Sequence, residues 1–477
     1  MRKVMKNLEI DGRESVEYST PITVTSQFYF CGIPFRVDTY RGCSHMCQYC
    51  FANTRKSGTG FGDDFKPAVA KIETFEKMFK KAFGTEKEYA DVNVEALRHR
   101  LPLHLGGMSD PMQHREQKYE ATYKFLKLLR EYDYPVAIST KNVLFTEDKY
   151  MKVLTDMKAM MQVSIIDSHN LPELEPGAST VEERFDAVKK SWDVGLPAHI
   201  RLQPFIPDLI KDREEYVSKV AETGCPFVSI EHLKLPLDYE FIKNITTALG
   251  YDIKKRMKEL AGAGKLKAYG REFELPPVAK YNLLLGEGGF VHLLHKHGIK
   301  YGAADNQLHH FNDSGCCCGV DLYKGFENYF KANYTYMMAT NKGKKNFTFD
   351  DLIGDHWIPE QDINDNMNRS IRWADNNPCR YLYTQGNLVG RLAGDEGTKD
   401  LRVPNKVYYH LRNKWHNPDL NDSPTDLYMV KANVERDELF DSKDNVQTKI
   451  KKVYYTIEEE LKALKLVRES EEDLPEF

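Results

Sequence analysis

The 477-residue chain has no apolar run of the length a membrane helix needs, only 4 Trp, and little charge imbalance: a formal net charge of -4 from 67 basic and 71 acidic residues. Without such a run no membrane partner is expected. The near balance of charge removes any general attraction to nucleic acid. The first residues, MRKVMKNLEIDGRES, lack the apolar centre of a secretory leader, so a cytoplasmic chain is expected. In that compartment the 9 Cys read as free thiols or metal ligands rather than as a disulfide framework. Internal repeats and low-complexity linkers are also missing. With 41% hydrophobic residues the chain can bury a large core, and its length exceeds one ordinary domain.

What the chain does have is YRGCSHMCQYCF at residues 40–51, with Cys43, Cys47 and Cys50 on one short loop. Zinc sites usually join one close pair of Cys to a second, distant pair of Cys or His. Three thiolates on one tight loop can instead hold three irons of a [4Fe–4S] cluster and leave the fourth iron open to a small molecule. Buried or zinc-bound cysteines are the competing reading.

Apolar segments with polar ends follow the loop in series: FRVDTY (35–40), LPLHLGGMSD (101–110), PVAIST (135–140), MQVSIID (161–167), AHIRLQPFIP (198–207) and FVSIEHLKLP (227–236). Helical patterns alternate with them. EQKYEATYKFLKLLREY (116–132) carries apolar residues at three- and four-residue steps. VEERFDAVKKSWDVG follows Ser179 and Thr180, either of which fits a capping box with Glu182 or Glu183. Repeated β-α units predict an α/β fold with a parallel sheet closed or partly closed into a barrel. Sites of such barrels lie at the C-terminal ends of the strands.

The C-x3-C-x2-C spacing, with Tyr49 just before the last Cys, resembles the radical S-adenosylmethionine (SAM) superfamily. GGMSDPMQHREQKYEATYKFLKLL, then PVAISTKN, then VSIIDSHNLPELEPGASTVEERFDAVKKSWDVGLPAHIRLQPFIP resemble its spore photoproduct lyase-like branch, over about residues 25 to 240. The resemblance implies a partial (β/α)6-type radical SAM barrel with a C-terminal α+β extension. It divides the chain into an N-terminal extension (1–34), the barrel (35–320) and the C-terminal extension (321–477). It implies two cofactors, a [4Fe–4S] cluster on Cys43, Cys47 and Cys50, and SAM on its open iron. The reduced cluster would cleave SAM to a 5′-deoxyadenosyl radical, fed by an electron donor such as flavodoxin or ferredoxin. Ser109, Lys141 and Ser164 match the residues that contact SAM in that branch, and Tyr49 matches the aromatic near the adenine. An ammonium suits a carboxylate, and hydroxyls suit a ribose or carboxylate. Asp110 is a candidate for the methionyl amine or for a helix cap. Gly106 and Gly107 are candidates for close approach of SAM or for a simple turn. Arg201 is a candidate for a carboxylate or phosphate, or for a structural ion pair.

Two departures stand out. The branch's hydrogen-donating Cys, two residues before the Ser-Asp serine, is Gly107 here, and the Tyr after the last cluster Cys is Phe51. Neither residue donates a hydrogen atom readily, so true spore photoproduct lyase activity is not expected. The expected substrate is a nucleic-acid base or nucleotide, making DNA or RNA a partner. The alternatives are a peptide or small metabolite, or a non-catalytic iron–sulfur protein for electron transfer or sensing.

Past residue 240 the resemblance fades. KYGAADNQLHHFNDSGCCCGV (300–320) reads as a strand running into Cys316, Cys317 and Cys318. Neighbours in an extended chain point opposite ways, so at most two of these thiols are expected to serve one metal, with His309, His310 or Cys379 as additions. A catalytic hydrogen-atom or thiyl role, and structural burial beside a glycine turn, are the other two readings. His232, beside Glu231, reads as a core or strand-end residue, with a base as the alternative. The tail interleaves aromatic and basic residues with enough acid to cancel them, so a solvated surface is expected ahead of nucleic-acid contact.

Overall fold

The computed structural model describes residues 16–19, 22–24, 31–54, 68–84, 92–166, 172–236, 238–262, 267–269, 272–340, 355–357, 429–433 and 451–455. The apolar segments become one eight-stranded sheet. Its strands in chain order are β1 (Thr23–Val24), β2 (Phe35–Val37), β3 (Leu103–Leu105), β4 (Val136–Thr140), β5 (Ala159–Ser164), β6 (Ala198–Phe205), β7 (Phe227–His232) and β8 (Lys300–Ala303). They lie in the order β8-β7-β6-β5-β4-β3-β2-β1. β2 to β8 run parallel, and β1 is antiparallel to β2. β1 and β8 are edge strands that do not pair with each other, so the parallel sheet is open rather than closed. It carries a seventh parallel strand, β8, from the KYGAADN segment.

Every residue of β4 and β5 is buried, as both faces of a crossover-covered sheet require. Along β4, β5 and β6 side chains alternate between faces. Ser139, Gln162, Ser164, His199 and Arg201 thereby share the inner face. On the outer face, Phe75 and Phe79 of helix α1 (Ile72–Phe83) join the main core with Phe125, Tyr132 and Tyr134.

The helical pattern of 116–132 is broken in two, α2 (Glu116–Tyr119) and α3 (Ala121–Glu131), at Glu120 with φ 50°. The cause is the buried Glu116 carboxylate. It accepts from Thr122 N (2.9 Å) and Tyr123 N (2.8 Å), capping α3 from the preceding turn, and from the hydroxyls of Tyr40 and Tyr150. The helix Val181–Asp193 (α4) starts as its sequence implies. Thr180 Oγ1 accepts from Glu183 N (3.2 Å), and Thr180 N donates to Glu183 Oε2 (2.7 Å).

Beyond the sheet, Leu235–Pro236, Lys267–Tyr269 and Glu272–Glu274 form a small antiparallel sheet. A buried network ties this region to β7. Lys280 Nζ donates to Glu274 and Asp305, and Asp305 Oδ2 lies 2.7 Å from His232 Nδ1. Residues up to Thr340 remain against the barrel: Phe330 N donates to Gly32 O (2.7 Å), and Thr335 Oγ1 meets His309 Nδ1 (2.6 Å). Of the tail, Met429–Asn433 pairs antiparallel with Lys451–Tyr455. Cys379 lies outside the described residues, as does most of the tail. No helix among the described residues is long and apolar enough to cross a membrane.

Candidate functional site

The three-Cys loop leaves the C-terminal end of β2 and turns tightly, with Met46 at φ 54° and Cys50 N donating to Cys47 O (3.1 Å). Cys47 is buried, and Cys43 and Cys50 are half-buried. Burial and the Asp110 carboxylate push the Cys43 thiol up to about 12. Cys47 is raised well above the usual range by burial and by Glu175, against the pull of Lys141. Each of these thiols also feels Cys50, and Cys47 feels Cys43, so the three lie within electrostatic reach of one another. A tight three-sulfur donor set of this kind fits an iron–sulfur cluster.

Three strand ends hold the loop. After β2, Asp38 Oδ1 accepts from Met108 N (2.9 Å) and Ser109 N (3.1 Å), fixing the GGMSD turn beside the loop. Ser109 Oγ donates to Gly42 O (2.9 Å) and accepts from Gln113 Nε2 (2.9 Å). Gln113 Oε1 accepts from Ser44 N (3.0 Å), so one buried amide staples the loop at two points. Asp110 accepts from Met112 N (2.9 Å), Thr140 Oγ1 (2.8 Å) and Lys141 N (2.7 Å), and its Oδ2 lies 3.1 Å from His45 Nε2. Burial alone would raise Asp110; His45 and these donors hold it below the usual carboxylate range. Its carboxylate therefore joins the cluster loop, the β3 end and the β4 end.

The third support comes from the Glu-Pro-Gly turn after β5. Gly177 N donates to His45 O (2.9 Å), and Gln48 N donates to Leu174 O (2.9 Å). Glu175 is 6% exposed. Burial opposes its charge, yet Arg184 (2.7 Å), Lys141 (3.4 Å) and the Tyr49 hydroxyl hold its carboxyl down to about 2. Arg184 also donates to Ser164 O (2.7 Å), which fixes the end of β5. Lys141 Nζ sits 5.4 Å from the Tyr49 ring centroid.

The sequence-derived residues thus fall into three places. Cys43, Cys47, Cys50, Tyr49, Ser109, Asp110, Lys141 and Ser164 stand at the C-terminal ends of the strands. Gly106 (φ 95°) is a backbone requirement: a Cβ there would stand 2.5 Å from Ser139 O and 2.8 Å from Pro111 Cδ. A Cβ on Gly107 would stand 3.0 Å from Arg36 Cδ. Arg201, midway along β6, is level with Ser164 at the end of β5 in the ladder. It donates to the Gln203 and Ser139 side chains, with His104 Nε2 at 3.4 Å. Burial lowers Arg201 from its ordinary value, against the pull of Glu231.

Cys316, Cys317 and Cys318 stand elsewhere. Cys316 and Cys318 cluster with Ala137 and Met160, the second residues of β4 and β5, near the opposite end of the strands. His199 Nδ1 meets Cys318 O at 2.9 Å. The segment is a turn and not the expected strand-like run. Gly319, at φ 70°, donates its N–H to Cys316 O (2.9 Å). Cys316 Sγ and Cys318 Sγ lie 3.1 Å apart. His309 is occupied by Thr335, and of His310 only the backbone is described. Among the described residues no group of three or more His, Cys, Asp or Glu could by itself hold a metal ion.

Sequence reading missed Asp38, Gln113 and Arg184 as site residues. Arg184 reads as an ordinary helix-surface charge, and only its position nine residues after Glu175 hints at the pair. No family model matches the chain. An uncharacterized protein of Mycobacterium tuberculosis (strain ATCC 25618 / H37Rv) is 28% identical over 223 residues, 43% of this chain and 60% of that protein. The chain thus spans about three-fifths of the length of the mycobacterial relatives it matches. An uncharacterized protein of Methanocaldococcus jannaschii is 23% identical over 211 residues, 44% of this chain and 74% of that protein. Among solved structures, a spore photoproduct lyase mutant with bound AdoMet and dinucleoside spore photoproduct aligns with TM-score 0.45 at 15% identity, covering 62% of this chain and 83% of that one. Streptococcus suis SuiB bound to S-adenosylmethionine aligns with TM-score 0.29 at 14% identity, covering 54% and 52%. These likenesses concern the fold.

Proposed function

We propose that the chain is a radical SAM enzyme, with a [4Fe–4S] cluster on Cys43, Cys47 and Cys50 and SAM bound over the C-terminal ends of the strands. The observation that carries this reading is the convergence of one three-thiol loop with Ser109, Asp110, Lys141 and Ser164 at the same end of an open parallel sheet. The bound cluster would supply one electron to the SAM sulfonium, releasing the 5′-deoxyadenosyl radical that takes hydrogen from a substrate. The protein's own part is positional. Asp110 and Gln113 hold the loop, Glu175 and Arg184 hold Lys141 and the end of β5, and the Lys141 ammonium offers its charge to the methionyl carboxylate. An electron carrier would need no such arrangement of polar strand ends. Reduction with SAM under anaerobic conditions, assayed for 5′-deoxyadenosine, tests the reading.

Lys141→Ala is expected to weaken SAM binding by about tenfold or more, the loss of one charge-assisted contact, with iron and sulfide content unchanged. Equilibrium dialysis with labelled SAM measures this; wild-type affinity would remove Lys141 from the SAM site.

The proposed substrate is a nucleic-acid base or nucleotide, with a peptide or small metabolite as the alternative. Spore photoproduct itself is not proposed, since Gly107 and Phe51 supply no hydrogen donor. A side chain at position 107 would also press on Arg36. Incubating the reduced enzyme with dinucleoside spore photoproduct should return no thymines by chromatography. Clean repair would show that hydrogen return takes another route.

A further inference from the structure

Along β3 to β6 the outward residues, such as Ile138, Val163, Ile200 and Leu202, belong to the main core. The inward residues between them include His104, Ser139, Gln162, Arg201 and Gln203, all polar. Their hydrogen bonds leave donors over. Arg201 Nε donates to Gln203 Oε1 (2.7 Å), and Arg201 Nη1 donates to Ser139 Oγ. Ser139 Oγ lies 2.7 Å from His104 Nε2 and 3.2 Å from Gln162 Oε1. Both glutamine carbonyls are thereby taken, whereas both amide nitrogens, Gln162 Nε2 and Gln203 Nε2, are buried with no partner among the described residues. Gln162 is 1% exposed. Turning the Gln203 amide over would set its N–H groups against the guanidinium, so charge fixes this orientation. The partners of Arg201 are also neutral. Burial, with Arg201 and Arg36 nearby, holds His104 well below its ordinary value. Among the described residues Arg201 has no carboxylate within ion-pair distance; Glu231, whose charge acts on it, lies 2.5 Å from Lys234 Nζ instead.

We infer that Arg201, Gln162 and Gln203 form a subsite for an oxyanion, carboxylate or phosphate, at one end of a small substrate. This deepens the radical SAM reading and rests on it only for calling the guest a substrate. The groups with hydrogen-bonding capacity to spare are donors, the two amides and the guanidinium. A carboxylate or phosphate is the matching guest, because its oxygens offer lone pairs and no hydrogen. Charge points the same way. A guanidinium held among neutral partners out of bulk water lacks a counter-charge, and a bound anion supplies it through charge-assisted hydrogen bonds. Ser139 and Gln162 each stand two residues before a residue proposed for SAM, Lys141 and Ser164, so the subsite lies about 7 Å further along the strands. The next inward residues, Ala137 and Met160, pack with Cys316 and Cys318 and close the space beyond. Arg201 and Gln203 are half-buried, so the subsite opens toward the C-terminal ends. A guest therefore enters charged end first and leaves its remaining atoms facing the strand ends. An internal phosphodiester, with chain on both sides, does not fit a closed end; a free nucleotide or an acidic metabolite does.

Equilibrium dialysis of the full chain, without SAM or reductant, tests this with two probes, labelled inorganic phosphate and labelled succinate. At least one is expected to saturate a single site. Arg201→Gln should weaken that binding by about tenfold or more, the loss of a charge-assisted contact. Gln203→Glu, close to it in shape, sets a carboxylate against the guanidinium and should abolish anion binding while the circular dichroism stays unchanged. If Arg201→Gln fails to fold, Gln203→Glu and Gln162→Leu are read in its place, and each should weaken the probe. Displacement by 5′-mononucleotides but not by their nucleosides assigns a phosphate; displacement by succinate but not by its dimethyl ester assigns a carboxylate. The inference is overturned if neither probe saturates a site on the folded chain, or if the folded variants bind it as the unmodified chain does. It is also overturned if Arg201→Gln lowers SAM affinity as Lys141→Ala does and leaves anion binding intact, which would give Arg201 to SAM. An oligonucleotide without terminal phosphates that displaces the probe as well as mononucleotides do would overturn it too. Anion binding is read without SAM, so a chain with the subsite and no SAM cleavage contradicts the radical reading alone. A chain that cleaves SAM and holds no such anion contradicts only the subsite.

Discussion

Single Cys43→Ala, Cys47→Ala and Cys50→Ala variants are expected to lose the visible absorbance of the iron–sulfur cluster and all SAM cleavage. The argument is one of ligand number. In the proposed site each thiolate would hold a separate iron and the fourth iron would be left for SAM, so removing one sulfur would leave two protein ligands for a four-iron group. His45, the nearest imidazole in sequence, is turned to Asp110 at 3.1 Å, and Ser44 N and Ser109 are committed to Gln113 and Gly42. The fold should survive, because the loop's backbone is held by Gln113, Leu174 and Gly177 rather than by the sulfurs. Unchanged circular dichroism with iron and sulfide near zero is the expected pair of measurements. Full cluster occupancy in any one variant would remove that Cys from the site.

Gly177→Ala is expected to damage the site without touching a ligand. Its Cβ would stand 2.4 Å from Ser44 O and 2.7 Å from His45 Cα. Both are backbone atoms of the cluster loop, so no side chain can swing aside. The Glu-Pro-Gly turn and the loop must move apart, weakening the Gly177–His45 and Gln48–Leu174 hydrogen bonds that join them. Overpacking of this kind costs about 1–3 kcal/mol. Displacing the turn also shifts Glu175, and with it Lys141, Arg184 and the end of β5. Thermal unfolding should begin at lower temperature, and SAM affinity should fall even where iron content is retained. A variant with wild-type melting and wild-type SAM affinity would show that the turn does not position the site.

Much of this arrangement was legible in the sequence for physical reasons. Strands buried on both faces must be continuous apolar runs, and β4, β5 and β7 read as such. The three-Cys loop is local, so spacing alone exposes it. What escaped was non-local or depended on chain direction. The Glu120 break interrupts an unblemished helical pattern because a buried carboxylate, Glu116, caps the second helix from within. The Glu175–Arg184 pair looks like surface charge until burial is known. The turn at Cys316–Cys318 was hidden because an adjacent run is read as extended chain, whereas Gly319 at φ 70° lets it curl.

The most direct test of the account is chemical. The anaerobically reconstituted chain, reduced and given SAM, is predicted to form 5′-deoxyadenosine and methionine in equal amounts, and the Cys47→Ala variant to form neither. A chain that carries its cluster and binds SAM yet yields no more 5′-deoxyadenosine than that variant would contradict it.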